Sequence, residues 1–316
     1  MKKIISYCCH LLVISTFLNC NTPIPSSDQL YKQLNSSIVL IESSYYYKIK
    51  LDNDIELFYG INSNGPDLFF EEEQVLNFPF TSTGTGFFIS DKGEIATNRH
   101  VAYPDLNESE IFSQVSSIKE KFLSIIEELK IEVNEMNEYY KDNKDNLSDT
   151  QVEELITEYK EITSYIDEFQ DFTNFDPEDL KIEIIRLHLG IRLDGDKLDN
   201  EESLKLCRLK LKSENKAVDL AVIQLENETT PNSIKDYFSI KELRNYNLNP
   251  KINDDISIIG FNSGYSLANT ENGIKSQMTK GNITQEPQSQ KILYSIPILK
   301  GSSGSPVLDN FGNIIA

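Results

Sequence analysis

Three short segments carry side chains that, brought together, can cleave an acyl bond. Lys300-Gly301-Ser302-Ser303-Gly304-Ser305-Pro306 offers a hydroxyl in a glycine-rich turn. Thr97-Asn98-Arg99-His100-Val101-Ala102 offers an imidazole, and Ala217-Val218-Asp219-Leu220-Ala221-Val222 a carboxylate at the head of an apolar run. A serine hydroxyl is a poor nucleophile at neutral pH. It needs a base to take its proton, and the base needs a third group to hold its tautomer and orientation. Ser303, His100 and Asp219 are the candidates for these three roles. The glycines around Ser303 let the backbone turn sharply and aim N–H groups at one spot, as a tetrahedral oxyanion requires.

Each segment also has a plainer reading. Gly-Ser-Ser-Gly-Ser is linker composition, but apolar Ile296-Pro297-Ile298-Leu299 precedes it and Pro306-Val307-Leu308 follows. Asp219 alone reads as a solvated strand-edge carboxylate. The run Leu220-Ala221-Val222-Ile223 after it reads as a buried strand, which sets Asp219 at the lip of a core where an uncompensated charge is costly. Of the three histidines, His10 lies in the N-terminal leader, and His188 sits in an alternating strand pattern as a structural or exposed residue. Only His100 follows a hairpin with clear turn chemistry: a strand over 84–90, the turn Asp91-Lys92-Gly93 and a second strand over 94–97. Gly84-Thr85-Gly86 is not read as a phosphate loop, because no helix follows and no lysine closes it.

The chain order His, Asp, Ser and these flanks resemble the chymotrypsin-fold serine peptidases. Residues 84–102 look like the glycine, strand, turn, strand, Thr-Asn-x-His-Val entry of the bacterial trypsin-like enzymes of the HtrA and glutamyl-endopeptidase type. Residues 255–261 are similar to the strand and glycine turn those enzymes carry between Asp and Ser, 279–284 to their next strand, and 310–315 to the hairpin after the nucleophile. Residues 28–42 resemble the N-terminal helix and first strand of HtrA-type proteases. The resemblance implies a mainly β, two-barrel fold with the active site in the cleft between the barrels. His100 and Asp219 would come from the first barrel and Ser303 from the second. It further implies that the N–H groups of Gly301 and Ser303 form the oxyanion hole, with no cofactor and no metal. Two departures stand out. Ser302 occupies the position where the secreted digestive enzymes have an aspartate that pairs with a new N-terminus, so activation by that route is not expected. The chain ends at Ala316, so the second barrel and one wall of the S1 pocket are expected to be incomplete, and P1 preference is not legible.

These catalytic segments need elements to hold them. Between His100 and Asp219 lie more residues than barrel connections require. Apolar residues at 111, 115, 118, 122, 125, 129, 133 and 136 recur in steps of three and four, which predicts a helix. A second seam through Val152, Leu155, Tyr159, Ile162, Ile166 and Phe169 opens at a Thr150-x-x-Glu153 capping box. With polar residues 141–149 between them, the two predict an antiparallel helical hairpin inserted into the first barrel. Residues 105–180 hold 22 acidic and 6 basic side chains, most of the net charge of −20. The expectation is a self-packed insertion with a solvated acidic exterior, and 108–176 is the segment for self-association or substrate gating. Strands are expected over 181–192 and 204–211, and an irregular excursion over 45–80. The parse is therefore a first barrel from 21–104 and 181–225, the hairpin over 105–180, and the second barrel over 226–316.

The charge balance excludes nucleic acid and anionic membrane surfaces as bulk electrostatic partners. Met1-Lys2-Lys3 and the apolar stretch 4–18 have the form of a secretory leader over 1–20, too short to span a bilayer. The leader ends at Cys20, in a setting that resembles a bacterial lipobox. Cys20 is thus expected to carry lipid, the sole membrane contact, in an exported cell-envelope lipoprotein; the alternative is plain secretion. Cys8, Cys9 and Cys20 all belong to this region, leaving Cys207 alone and no intrachain disulfide. The sequence thus reads as an exported serine endopeptidase acting on proteins or peptides through an acyl-enzyme. The competing reading is an inactive, protease-like binding module that presents the acidic hairpin to a partner.

Overall fold

The computed structural model describes residues 24–177, 179–215, 217–239, 249–288 and 291–316. Its organising element is β1, Ile38–Lys50. Apolar residues occupy both alternation classes of this strand, so neither face can be left to water. Val39 and Ile41 point into one core with Phe88, Ile95, Leu189, Ile191 and Ile223. Ile38 and Leu40 point into another with Phe238, Ile259, Phe261 and Leu308. One strand therefore serves as the shared wall of two β units.

The first unit is a closed barrel. β1 pairs with β4 (Phe80–Phe88), then follow β5 (Glu94–Thr97), β8 (Ala221–Leu225), β7 (Lys205–Lys212) and β6 (Lys181–Leu193), which returns to β1 along its whole length. Six strands and no open edge result, which removes unpaired backbone groups from the rim. Beyond a bulge at Ser44/Tyr45 the far half of β1 leaves β4 and takes up β2 (Glu56–Asn62), which folds back as β3 (Gly65–Phe69) and leads to the short helix α2 (Glu72–Val75). Residues 45–80, expected to be irregular, are thus largely an ordered β-ribbon. The sequence masks it because Tyr47 and Tyr59 pack on one face while Tyr46 and Phe58 pack on the other, so no polar residues alternate with the apolar ones.

The second unit contains a three-stranded sheet in the order β12 (Gln277–Asn282), β9 (Asp255–Gly260), β13 (Val307–Leu308), and the small hairpin β10 (Asn269–Thr270) and β11 (Gly273–Ile274). It has its own apolar cluster of Ile256, Ile258, Ile283, Ile296 and Val307. The N-terminal helix α1 (Ser27–Leu34), capped by a Ser26/Gln29 capping box, tucks Leu34 into the core between the units. The mainly β expectation is borne out.

Between β5 and β6 run the short α3 (Arg99–Ala102) and two long helices, α4 (Glu108–Asn143) and α5 (Asp149–Thr173). The cap of α5 lies two residues earlier than the Thr150 that the sequence suggested. Ser148 accepts from Gln151 N–H while the Gln151 side chain accepts from Ser148 N–H, leaving Asp149 in the first turn, where the helix dipole favours an acid. The first helical seam is also divided. Ile126, Ile162 and Ile166 pack between the helices, whereas Ile111 and Val115 pack with Tyr47, Ile49 and Leu57 of the barrel, and Ile125 faces out. The hairpin is self-packed only in its distal part. No helix among the described residues is long and apolar enough to cross a membrane. The leader and Cys20 lie outside the described residues.

Candidate active site

The ends of β5 and β8 set the base beside the acid. The two strands are antiparallel with Thr97 opposite Ala221, so the residues just beyond Thr97 meet those just before Ala221. Asn98 caps α3, whose single turn buries Val101 and Ala102 and leaves His100 outward. Val101 fits only because residue 84 is glycine: a Cβ there would overlap the Val101 methyls. Asp219 then grips the turn with both oxygens. Oδ1 accepts from the His100 backbone N–H at 3.0 Å, and Oδ2 lies 2.6 Å from His100 Nδ1. Asn98 Nδ2 adds donations to Asp219 Oδ2 at 2.9 Å and to its carbonyl at 2.8 Å. Partial burial pushes the Asp219 pKa up, but the His100 backbone and ring and the Asn98 amide outweigh it, and the carboxyl ends below its ordinary value. The imidazole is thereby held with Nδ1 toward the acid, and Nε2 has no hydrogen-bond partner among the described residues.

The serine segment is fastened to the first unit by backbone as much as by side chains. Ser302 N–H donates to Leu299 O at 3.1 Å, closing a turn with Gly301 at φ +91°. Thr85, fully buried on β4, donates its N–H to Ser303 O at 2.8 Å and its hydroxyl to Gly301 O at 2.8 Å. The same hydroxyl accepts from Phe261 N–H at 2.9 Å. Gly304 sits at φ +87°, and a Cβ on it would collide with the Thr85 carbonyl oxygen and the Thr97 hydroxyl. No other residue fits there. Among the described residues, the N–H groups of Gly301 and Ser303 have no acceptor and the Ser303 hydroxyl has no hydrogen-bond partner.

His100, Asp219 and Ser303 line one cavity of about 290 Å³, walled by Ile258, Tyr294 and Ile296. The structure thus brings the three candidates together, with Gly301 in the same turn as Ser303. Leu220, expected to be buried, is 52 % exposed, because β8 begins one residue later and the chain before it lies at the barrel rim. His188 is structural: its Nε2 lies 2.8 Å from Glu42 Oε1. Cys207 is buried and its thiol is pushed up to about 12, chiefly by burial, which leaves it inert. Among the described residues no cluster of histidine, cysteine or carboxylate could hold a metal. Sequence reasoning missed Thr85 and Asn98. Asn98 carried a readable signal, an amide at the head of the turn that presents the base. Thr85 carried none beyond its two glycine neighbours, since its partners lie far along the chain.

Residues 171–316 match the family model of a trypsin-like peptidase domain. The match begins at the end of α5, so Asp219 and Ser303 lie inside it and His100 lies before it, beyond the long helices. No curated protein matches the chain. Among solved structures the chain is similar to a serine endoprotease from Yersinia pestis, at 14 % identity and a TM-score of 0.39, over 93 % of this chain and 57 % of that one. It is also similar to the HtrA-type protease AlgW with tripeptide, at 12 % identity and a TM-score of 0.39, over 92 % and 53 %. The chain therefore spans little more than half the length of either.

Proposed function

We propose that this chain is a serine endopeptidase that cleaves proteins or peptides through an acyl-enzyme on Ser303, a reading supported by the match of residues 171–316 to the model of a trypsin-like peptidase domain. One observation carries the reading: both Asp219 oxygens are engaged by His100, ring and backbone, beside a serine in a turn that Thr85 clamps. As the substrate carbonyl arrives, Ser303 Oγ attacks its carbon while His100 Nε2 takes the hydroxyl proton. Asp219 accepts the Nδ1–H throughout and stabilises the imidazolium. The carbonyl π electrons move onto oxygen, where the free N–H groups of Gly301 and Ser303 receive the charge. Collapse breaks the C–N bond, and His100 returns the proton to the leaving amine. Water then repeats the sequence on the ester, regenerating Ser303.

Labelling of the full chain with a fluorophosphonate probe tests this. The adduct is expected on Ser303, and His100→Ala is expected to cut its rate by several orders of magnitude. Equal labelling of both proteins would remove the base from the mechanism. Export with lipid on Cys20 belongs to the same proposal, supported by the basic start, the short apolar stretch and the cysteine that ends it. Partition into a detergent phase, lost on Cys20→Ser, is the expected result. An unmodified N-terminus mapped downstream of Cys20 would refute it.

A further inference from the structure

We propose that Glu42 and Tyr265 are positioning residues for the oxyanion turn, acting through the loop that backs Gly301; this rests on the peptidase reading above. The Gly301 peptide is gripped from two sides. On one side Thr85 Oγ1 donates to its carbonyl. On the other lies the turn Phe261-Asn262-Ser263-Gly264, so close that a Cβ on Gly301 would come within 2.5 Å of Phe261 O and Gly264 N. Where this turn sits therefore fixes where the Gly301 N–H points.

The turn has little holding it from within. Ser263 and Gly264 both adopt positive φ, +60° and +52°, and one backbone bond closes it, from Gly264 N–H to Phe261 O at 3.0 Å. Outside support comes from β12, where Asn262 N–H donates to Gln277 Oε1 at 2.8 Å and Asn262 Nδ2 to Thr279 Oγ1 at 3.4 Å, and from the barrel wall. Gly264 lies against Thr83, where a Cβ would stand 2.5 Å from the threonine hydroxyl. Thr83 is the register partner of Glu42 on β1. The next residue, Tyr265, opens the short helix α6 (Tyr265–Ala268) and donates its hydroxyl to Glu42 Oε2. That hydroxyl stays protonated across the working range, pushed up to about 12 by burial and then by Glu42, so it is a permanent donor.

Glu42 is itself fixed from the barrel side. His188 Nε2 lies 2.8 Å from its Oε1, and Arg192 Nε lies 3.8 Å from its Oε2. The Arg192 guanidinium is held in turn by Asn200 O at 3.0 Å and Ser203 Oγ at 2.5 Å. The anchor is therefore rigid before the tyrosine reaches it. Neither Glu42 nor Tyr265 lines the catalytic cavity, and neither takes part in the proton transfers above. The route from anchor to chemistry runs Glu42, Tyr265, the 261–264 turn, Gly301.

A transition-state mimic separates this role from a general structural one. A peptide aldehyde forms a hemiacetal: the Ser303 Oγ–C bond forms, the carbonyl π pair moves onto oxygen, and the serine proton passes to His100. Its affinity reads the oxyanion donors, whereas a substrate-length peptide bound to the Ser303→Ala protein reads ground-state contacts alone. In the full chain, Tyr265→Phe is expected to weaken aldehyde binding and lower kcat each by about tenfold. That is less than the ~100-fold or more lost when such a donor is removed outright. KM, peptide affinity and the pH profile of kcat are expected to hold. Glu42→Ala should match Tyr265→Phe, and Glu42→Gln, which keeps an acceptor for the tyrosine, should recover most of the loss. Wild-type aldehyde affinity in Tyr265→Phe, or equal losses for aldehyde and peptide, would overturn the tether. If Tyr265→Phe does not fold, the contrast between Glu42→Ala and Glu42→Gln decides in the same way. A wild-type chain that takes neither the fluorophosphonate nor the aldehyde would overturn the peptidase reading and the tether with it. A labelled wild type with an unaffected Tyr265→Phe would overturn the tether alone.

Discussion

Thr85 uses its hydroxyl twice, donating to Gly301 O and accepting from Phe261 N–H, in a site with no water-facing side. Thr85→Val keeps the shape and strands both partners. Each buried unpaired group costs about 1–3 kcal/mol, so with two of them the variant is expected to lose roughly 2–6 kcal/mol in denaturant unfolding. Fluorophosphonate labelling should slow with it, because the displaced carbonyl belongs to Gly301, the residue whose N–H is one of the two proposed oxyanion donors. Gly304→Ala meets backbone rather than a yielding side chain and should cost about 3 kcal/mol. Asp219 gives a pH prediction whose sign is fixed by its depressed folded pKa. Its stabilising contribution is complete above the ordinary carboxylate value near ~4 and is lost as pH falls through the lower folded one. The stability gap between wild type and Asp219→Asn should therefore be constant near neutrality and close only in acid. A gap that stayed open well below the ordinary carboxylate range would contradict the hydrogen-bond network described. The three candidate site residues were legible in the sequence because scarce histidine, flanking strands and a glycine-framed serine are local signals. Thr85 was not, because a threonine within a strand looks the same whether its partner is water or a peptide 216 positions away.

Elements were legible where apolar spacing was one-sided and illegible where it was not. The steps of three and four fixed the existence of α4 and α5, but no spacing says which turn of a helix meets its partner and which meets the barrel. Ile111 and Val115 cover Tyr47, Ile49 and Leu57, and Phe175 joins them after α5 ends. Phe122, Phe169 and Phe172 stack above them with Phe70. Excising 108–176 would strip Ile111, Val115 and Phe175 from the barrel. At about 1.5–3 kcal/mol for each large side chain, the loss is on the order of 5 kcal/mol, comparable to the whole stability of many domains. Replacing only 124–167 with a four-residue Gly/Ser linker removes Ile126, Ile162 and Ile166 together and leaves the aromatic layer in place. This shorter deletion is expected to melt within a few degrees of wild type and keep peptide cleavage, whereas the longer one unfolds. If both unfold alike, the distal hairpin contributes to the barrel after all. A change in oligomeric mass or in cleavage of folded proteins by the short deletion would support self-association or gating through the hairpin.

At the scale of the molecule, β1 lends one face to each β unit, so the candidate site residues of the two units are referenced to a single strand. His100 and Asp219 hang from strands of the barrel that β1 helps to close, and Ser303 hangs from Thr85 on the strand beside it. The closure of that barrel has a consequence in time. Lys50 pairs with Lys181, and the remaining β1–β6 pairs lie farther apart still. At synthesis rates of about 5–20 residues per second, β1 waits roughly 7 to 26 s for β6, and the ring closes only once β7 and β8 have followed. The helices in between make local contacts and fold within about milliseconds of emerging. A nascent chain halted just after α5 is therefore expected to show a protease-resistant distal hairpin beside a digestible β1–β5. Resistance should spread to those strands only when the halt is moved beyond β8. During that interval a strand apolar on both faces has β2 and β4 on one edge and nothing on the other, which makes the half-made protein, rather than the finished one, the species that holdase chaperones have most to bind.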